Sequence, residues 1–199
     1  MPKLGTFSPS MFAKAMTNGR GKNNDPGKTA LELVYEIAMQ RIGVEPVQID
    51  TPATRHGNEW EALALKRYEE KTMMQVIDVE KSIQHPDYNF VTGIPDGLIG
   101  KEGLVEVKCP YNPANHIHNI ISFKQINDYM EQMQGYMWIT GRQWCDFVSY
   151  DPRYPAEHKI AIKRVMRDNE IIDAIEQRIL LLESEVQIIL KKISDVKEN

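Results

Sequence analysis

The stretch "GIPDGLIGKEGLVEVKCP", residues 93–110, sets Asp96 and Glu106 on either side of a glycine-bounded turn, with Lys108 two places after the second acid. Apolar and polar residues alternate on both sides of the turn, the period of half-buried strands. If the two strands pair through a three-residue turn, Gly100 to Glu102, Asp96 lies opposite Glu106. The Cβ atoms of facing residues stand roughly 4.5–5.5 Å apart. Lys108 shares the face of Glu106, while Val105 and Val107 point to the other side. Like charges opposed across a strand pair are destabilising, and a divalent cation removes the objection. Carboxylate and carbonyl oxygens suit Mg²⁺ or Mn²⁺, whereas no His/Cys set of zinc type is present. Such an ion activates water and neutralises charge growing on a phosphoryl oxygen, so the chemistry expected is phosphodiester hydrolysis. The plain alternative is an exposed hairpin with solvated charges. The string is short, and its surroundings must decide.

Upstream, "SPSMFAKAM" reads as a short first helix and "NGRGKNNDPGK" as a mobile polar loop, around which Lys14, Arg20, Lys22 and Lys28 cluster. A second helix is expected over roughly 27–42, with Leu31, Val34, Tyr35, Ala38 and Ile42 as its apolar stripe and Gly43 as its end. Thr51 and Pro52 open a third, whose buried stripe is Trp60, Leu63, Ala64 and Tyr68, with Glu61 beside it. From Gln75 to Lys108 the period of two predicts an antiparallel set of strands. Beyond "CPYNP" we expect a polar, aromatic-containing connection, a helix near Ile126 to Thr140, and strands at "WCDFVSYD" and "HKIAIKRV". A long last helix starts near Asp168; its seam of Ile175, Ile179, Leu182, Val186, Ile189 and Ile193 is expected to pack on its own domain rather than in a coiled coil.

With 199 residues, 42% of them hydrophobic and 26% charged, the chain fits a single domain over 1–199. A net charge of −4 and a pI near 5.8 argue against a uniformly basic nucleic-acid coat, so any nucleic-acid face must be local. No secretory signal and no run of about 18 apolar residues is seen, and the chain is expected to be soluble, cytoplasmic and without membrane contact. Cys109 and Cys145 lack metal-type spacing and are expected as buried thiols. His116 and His118 are expected as loop polar groups, Met130, Met133 and Met137 as core, and Trp138 and Trp144 as packing residues.

"PDG…VEVKCP" resembles the motif of the PD-(D/E)xK nuclease superfamily, and "YMEQMQGYMWITGRQWCDFVSYDPR" is similar to the lambda-exonuclease-like (YqaJ-type) phage recombination nucleases. The resemblance runs from "KLGTFSPS" through "HGNEWEALA" to the final helix. It implies an α/β fold, a PD-(D/E)xK nuclease core with a central mixed sheet flanked by helices and a long C-terminal helix, acting processively on linear double-stranded DNA, hydrolysing the 5′-ended strand and leaving a 3′ overhang for single-strand annealing. Position by position, Asp96 and Glu106 resemble metal-binding carboxylates, the carbonyl of Val107 completes the sphere, and Lys108 matches the catalytic lysine. Glu61 stands where the family has an acid for a second metal, ahead of Glu59, and Gln132 where it has a glutamine near the attacking water. The cofactor implied is Mg²⁺, with Mn²⁺ as an alternative, two ions per site when DNA is bound. Lys3 and Ser10 match a 5′-phosphate pocket in which an arginine has become lysine, a residue without the bidentate fork. Arg20 is similar to an arginine that touches the duplex. The family further implies a homotrimeric ring, a phage single-strand annealing protein as partner, and a phage or prophage origin in a bacterial host.

Two other readings stay open on the residues alone. A DNA-end-binding or scaffold protein could share the fold, although a pure binder has no need of carboxylates that repel phosphate. A restriction-like or structure-specific endonuclease could share the acidic motif.

Overall fold

The computed structural model describes residues 3–20, 25–47 and 49–197. Along them a 3-10 turn Pro9–Met11 leads into α1 (Phe12–Ala15), α2 (Lys28–Arg41) and α3 (Pro52–Thr72). Short strands β1 (Val76–Ile77), β2 (Ile83–Gln84), β3 (Thr92–Gly93) and β4 (Gly97–Ile99) precede β5 (Gly103–Lys108). Then come α4 (Pro113–Ile121), a 3-10 segment Lys124–Tyr129, α5 (Met130–Thr140), β6 (Trp144–Tyr150), β7 (Ile160–Met166) and α6 (Asn169–Lys197).

The turn residues Gly100 to Glu102 reverse the chain, Gly100 at φ +51°, and β4 pairs antiparallel with β5 in the expected register, Gly97 facing Val105 and Ile99 facing Gly103. The sheet order is β1-β4-β5-β6-β7. Within this sheet β5 and β6 are the parallel pair, which requires a long crossover, and α4 and α5 supply it. Alternation along β5 then assigns the layers. Val105 and Val107 join Ala64 and Tyr68 of α3 on one face, whereas Leu104 joins Met133 and Met137 of α5 on the other. The Tyr68 hydroxyl donates to buried Asp146 of β6 at 2.7 Å, locking α3, and with it Glu61, onto the sheet.

Behind α5, Ile175, Ile179, Leu182 and Val186 of α6 are fully buried against α2, so the apolar seam of the last helix packs on its own chain as expected. The stripe of α2 differs from expectation. Leu31 and Tyr35 are 40% and 64% exposed, and the buried face is Ala30, Leu33, Val34, Ile37 and Ala38. Both stripes have helical spacing; the one with two alanines lets α6 approach, and packing selects it.

Two further expectations are corrected. Residues 113–121 form a helix rather than a polar connection: Asn112 caps it, its Oδ1 accepting from the Ala114 N–H at 3.1 Å, with Pro113 in the first turn. His116 is consequently a buried helix residue, bonded to Ser149 Oγ and the His158 carbonyl, both at 2.8 Å. The helix expected from Ile126 starts instead as a 3-10 segment and becomes α-helical only at Met130. Met133 and Met137 are core, Trp138 is buried, and Cys145 is buried while Cys109 is half-buried. No helix among the described residues is long and apolar enough to cross a membrane.

Candidate active site

Asp96 stands one residue before β4, where the ladder stops. Its Oδ2 accepts from the Val107 N–H at 2.7 Å, so the two arms of the hairpin are tied by the acid itself. Glu106 points to the α5 face and is 1% exposed. Its Oε1 accepts from Lys108 Nζ at 2.6 Å and from Gln132 Nε2 at 2.7 Å. Its Oε2 is buried and has no hydrogen-bond partner among the described residues. Gln132 reaches this point because α5 lies close to the amino-terminal segment: a Cβ on Gly135 would stand 2.6 Å from the Phe12 ring. Lys108 Nζ lies 4.6 Å from the centre of the Tyr129 ring, which stacks in turn on Phe147 at 5.7 Å.

Burial pushes Asp96 well above the usual carboxylate range, and the neighbouring Glu106 and Glu61 push it further. Glu106 is also raised by burial, against the pull of Lys108. Burial alone would lower Lys108, but the charge and hydrogen bond of Glu106 leave it above its ordinary value. The pair is unequal. One partly exposed ammonium gains a partner, yet it does not compensate a carboxylate taken wholly out of water. The centre is short of positive charge.

Glu61 borders the same place. It lines a cavity of about 540 Å³ together with Val107 and Lys108, and an adjoining one of about 430 Å³ together with Asp96. Glu59, farther round α3, is exposed. An orphaned carboxylate oxygen and an all-oxygen donor set fit a hard divalent cation.

Lys3, Ser10 and Arg20 are all exposed, and none hydrogen-bonds to the acids or Lys108. Ser10 Oγ pairs with Ser8 Oγ at 2.8 Å. Its neighbour Pro9 abuts Gly93 and Tyr136, at whose approach a Cβ on Gly93 would lie 2.8 Å from Pro9 Cδ and 2.9 Å from the Tyr136 ring. Arg20 follows the Asn18–Pro26 bridge that closes the basic loop, whose Lys22 lies outside the described residues. Sequence reasoning missed Tyr129 beneath Lys108. Its one signal was helical spacing from Gln132.

The model of the YqaJ-like viral recombinase domain matches residues 3–143. The protein YqaJ of Bacillus subtilis (strain 168), of uncharacterised function, is 24% identical over 143 residues, 71% of this chain; the chain spans 44% of that relative's length. Among solved structures, the alkaline exonuclease LHK-Exo of Laribacter hongkongensis is 33% identical with a TM-score of 0.87, covering 98% of this chain and 94% of its own. The same enzyme in complex with dAMP is 35% identical, with a TM-score of 0.83 over 97% and 95% of the two chains. A phage-related exonuclease from Haemophilus somnus 129PT, 21% identical with a TM-score of 0.79 over 94% and 96%, shares the fold. With the motif, the mixed sheet and these likenesses in agreement, the chain belongs to the YqaJ-like viral recombinase domain family.

Proposed function

We propose that this protein is a divalent-cation-dependent exodeoxyribonuclease that hydrolyses the 5′-ended strand of linear double-stranded DNA, processively, leaving a 3′ single strand for annealing. The observation that carries the reading is the convergence of Asp96, Glu106 and Lys108 on one hairpin, where a buried Glu106 oxygen has no partner among the described residues. The exonuclease named among the structural relatives, at 33% identity over nearly the whole chain, supports the reaction class.

Asp96, Glu106 and the Val107 carbonyl would hold Mg²⁺ or Mn²⁺, with Glu61 serving a second ion once DNA is bound. When bound, the cation supplies positive charge against the phosphoryl oxygens and acidifies water. The chain's own groups do the rest. Gln132 holds Glu106 in one orientation through the bond to its Oε1, and its own Oε1 accepts from Lys108 Nζ at 3.4 Å, so the one amide spans the acid and the lysine. Lys108, kept as an ammonium by Glu106 and the Tyr129 face, faces the charge that grows on the phosphoryl group. Lys3 and Ser10 hold the terminal 5′-phosphate, and Arg20 the duplex backbone. A chain of net charge −4 meets DNA through such local groups, and a closed ring of three copies would confine the positive surface to its channel. The 3′ strand passes to a phage annealing protein.

The test is digestion of end-labelled linear duplex and covalently closed circular duplex with Mg²⁺, following which strand shortens. Loss of the 5′-ended strand from linear DNA alone is expected. Cleavage of the circle would favour the endonuclease, and tight end binding without hydrolysis would favour the scaffold protein.

A further inference from the structure

Two uncommon backbone features stand back to back ahead of α5, and together they bring Tyr129 and Gln132 to Lys108. Phe123, which follows α4, lies in the left-handed region at φ +50°. A residue with a bulky side chain keeps that conformation only where its surroundings impose it. The 3-10 segment Lys124–Tyr129 then runs for six residues, although runs beyond about four are uncommon. At its end the Tyr129 ring lies beneath the Lys108 ammonium, and in the first turn of α5 the Gln132 Oε1 accepts from the same Nζ. Neither the joint nor the segment is favoured from within, so a contact from outside must hold them.

That contact is a buried polar chain. It begins at His116 of α4, whose Nε2 lies 2.8 Å from the His158 carbonyl. A carbonyl only accepts, so Nε2 carries the hydrogen, and Nδ1 of the neutral ring accepts from Ser149 Oγ at 2.8 Å. The Ser149 oxygen in turn accepts from Asn119 Nδ2 at 3.1 Å, and the other hydrogen of that amide goes to Gln125 Oε1, also at 3.1 Å. Every donor has its acceptor, and the chain has one direction. Ser149 is the β6 residue that stands beside Lys108 in the sheet register. The chain therefore leaves the sheet next to the lysine, crosses the Phe123 joint from Asn119 to Gln125, and comes back under the lysine through Tyr129.

Asn119 separates position from stability. It is 0% exposed, both its amide hydrogens are used, and its Oδ1 has no partner among the described residues. A buried acceptor left without a donor is unfavourable, and an apolar side chain of similar size avoids that loss. What the asparagine supplies and a leucine cannot is the bond to Gln125 across the joint.

We propose that Asn119, oriented by Ser149 and His116, is a positioning residue: through Gln125 it straps the left-handed joint and the 3-10 segment in place, and so keeps Tyr129 beneath Lys108. Its consequence for catalysis rests on the nuclease reading of Lys108 and the neighbouring acids.

The experiment uses the full chain labelled with 3-fluorotyrosine, the Tyr129 fluorine resonance being assigned by Tyr129→Phe. Asn119→Leu and Gln125→Met break the strap from its two ends. Both should shift and broaden that resonance and speed hydrogen exchange over 122–129 about tenfold or more, with thermal midpoints close to that of the parent. Gln125→Glu keeps the acceptor and should keep the parent's resonance and exchange. On linear duplex with Mg²⁺, Asn119→Leu should lower kcat about ten- to a hundredfold, the cost of a slightly misplaced catalytic group, with KM within a few-fold of the parent. Gln125→Met, at the half-exposed end, carries the test should the buried variant fail to fold. A Tyr129 resonance and exchange rate that stay as in the parent when the strap is broken overturn the proposal, and so does a parent-like kcat in a variant whose Tyr129 has moved. The resonance and exchange are read without DNA, so a parent that leaves DNA intact removes the nuclease reading while the strap is judged by itself.

Discussion

Glu106 is under electrostatic tension, because one of its oxygens accepts from two neighbours and the other has no partner among the described residues. Replacing either acid by its amide keeps the shape and removes the charge. Asp96→Asn and Glu106→Gln are expected to abolish cation-dependent hydrolysis while raising the thermal midpoint measured in EDTA, by about 2–4 °C for each kcal/mol of relieved strain. Retained hydrolysis in either variant would falsify the site. Lys108→Ala is expected to cost about 10²–10⁴-fold in rate, the range of a missing charge-stabilising or proton-transferring group. Lys108→Arg separates the two roles, since guanidinium stays charged and cannot act as a base. With the ammonium seated between Glu106 and the Tyr129 face, we expect Lys108→Arg to keep measurable activity across the pH range. A rate as low as that of Lys108→Ala, with DNA binding intact, would return the lysine to the base role.

Helix α4 shows how an element can be fastened by one side chain. Burial lowers the affinity of His116 for a proton, and the ring is held neutral between Ser149 and the His158 carbonyl. Above the ordinary imidazole value of 6.5 the folded and unfolded chains are both neutral there, and the contribution of this residue is complete. As pH falls below that value the unfolded chain takes up a proton that the folded one resists, and stability is lost. A thermal midpoint that drops on acidification in the parent, and drops less steeply in His116→Gln, is the expected result. Helix α2 offers a sharper test, because its buried stripe is not the one its spacing first suggests. Ile37→Ala should cost about 2–5 kcal/mol in chemical denaturation, whereas Leu31→Ala, on the exposed side, should cost far less. Equal losses would mean that the helix is turned otherwise.

Over the fold taken together, α6 does more than cover a core. Its Glu183 takes two bonds of 2.7 Å from Arg41 of α2, whose Nε also donates to the Gly5 carbonyl at 2.8 Å, so the segment carrying Lys3 is anchored from two helices. Arg178 of the same helix donates to the carbonyls of Ala15 at 3.1 Å and Thr17 at 3.0 Å, which steadies the base of the basic loop. Arg20 therefore springs from a fixed root, and Arg20→Ala is expected to weaken duplex binding and to lower the salt slope by about 0.9, the share of a single neutralised phosphate. An unchanged slope would remove Arg20 from the DNA surface. Local pattern was enough for whatever depends on near neighbours: the β4–β5 register, the placing of Asp96, Glu106 and Lys108 around one hairpin, and the apolar seam of α6, since a tight turn and a period of two or of three to four leave little freedom. Even the cap that starts α4 was written locally, in Asn112 and Pro113, but a cap is a weak signal against a polar stretch. Packing was needed to settle which stripe of α2 is buried, that Gln132 bonds to Glu106, that Tyr129 lies beneath Lys108, and that Ser149 accepts from Asn119. These pairings join residues far apart along the chain, and they depend on how helices and sheet meet rather than on any pattern within one element.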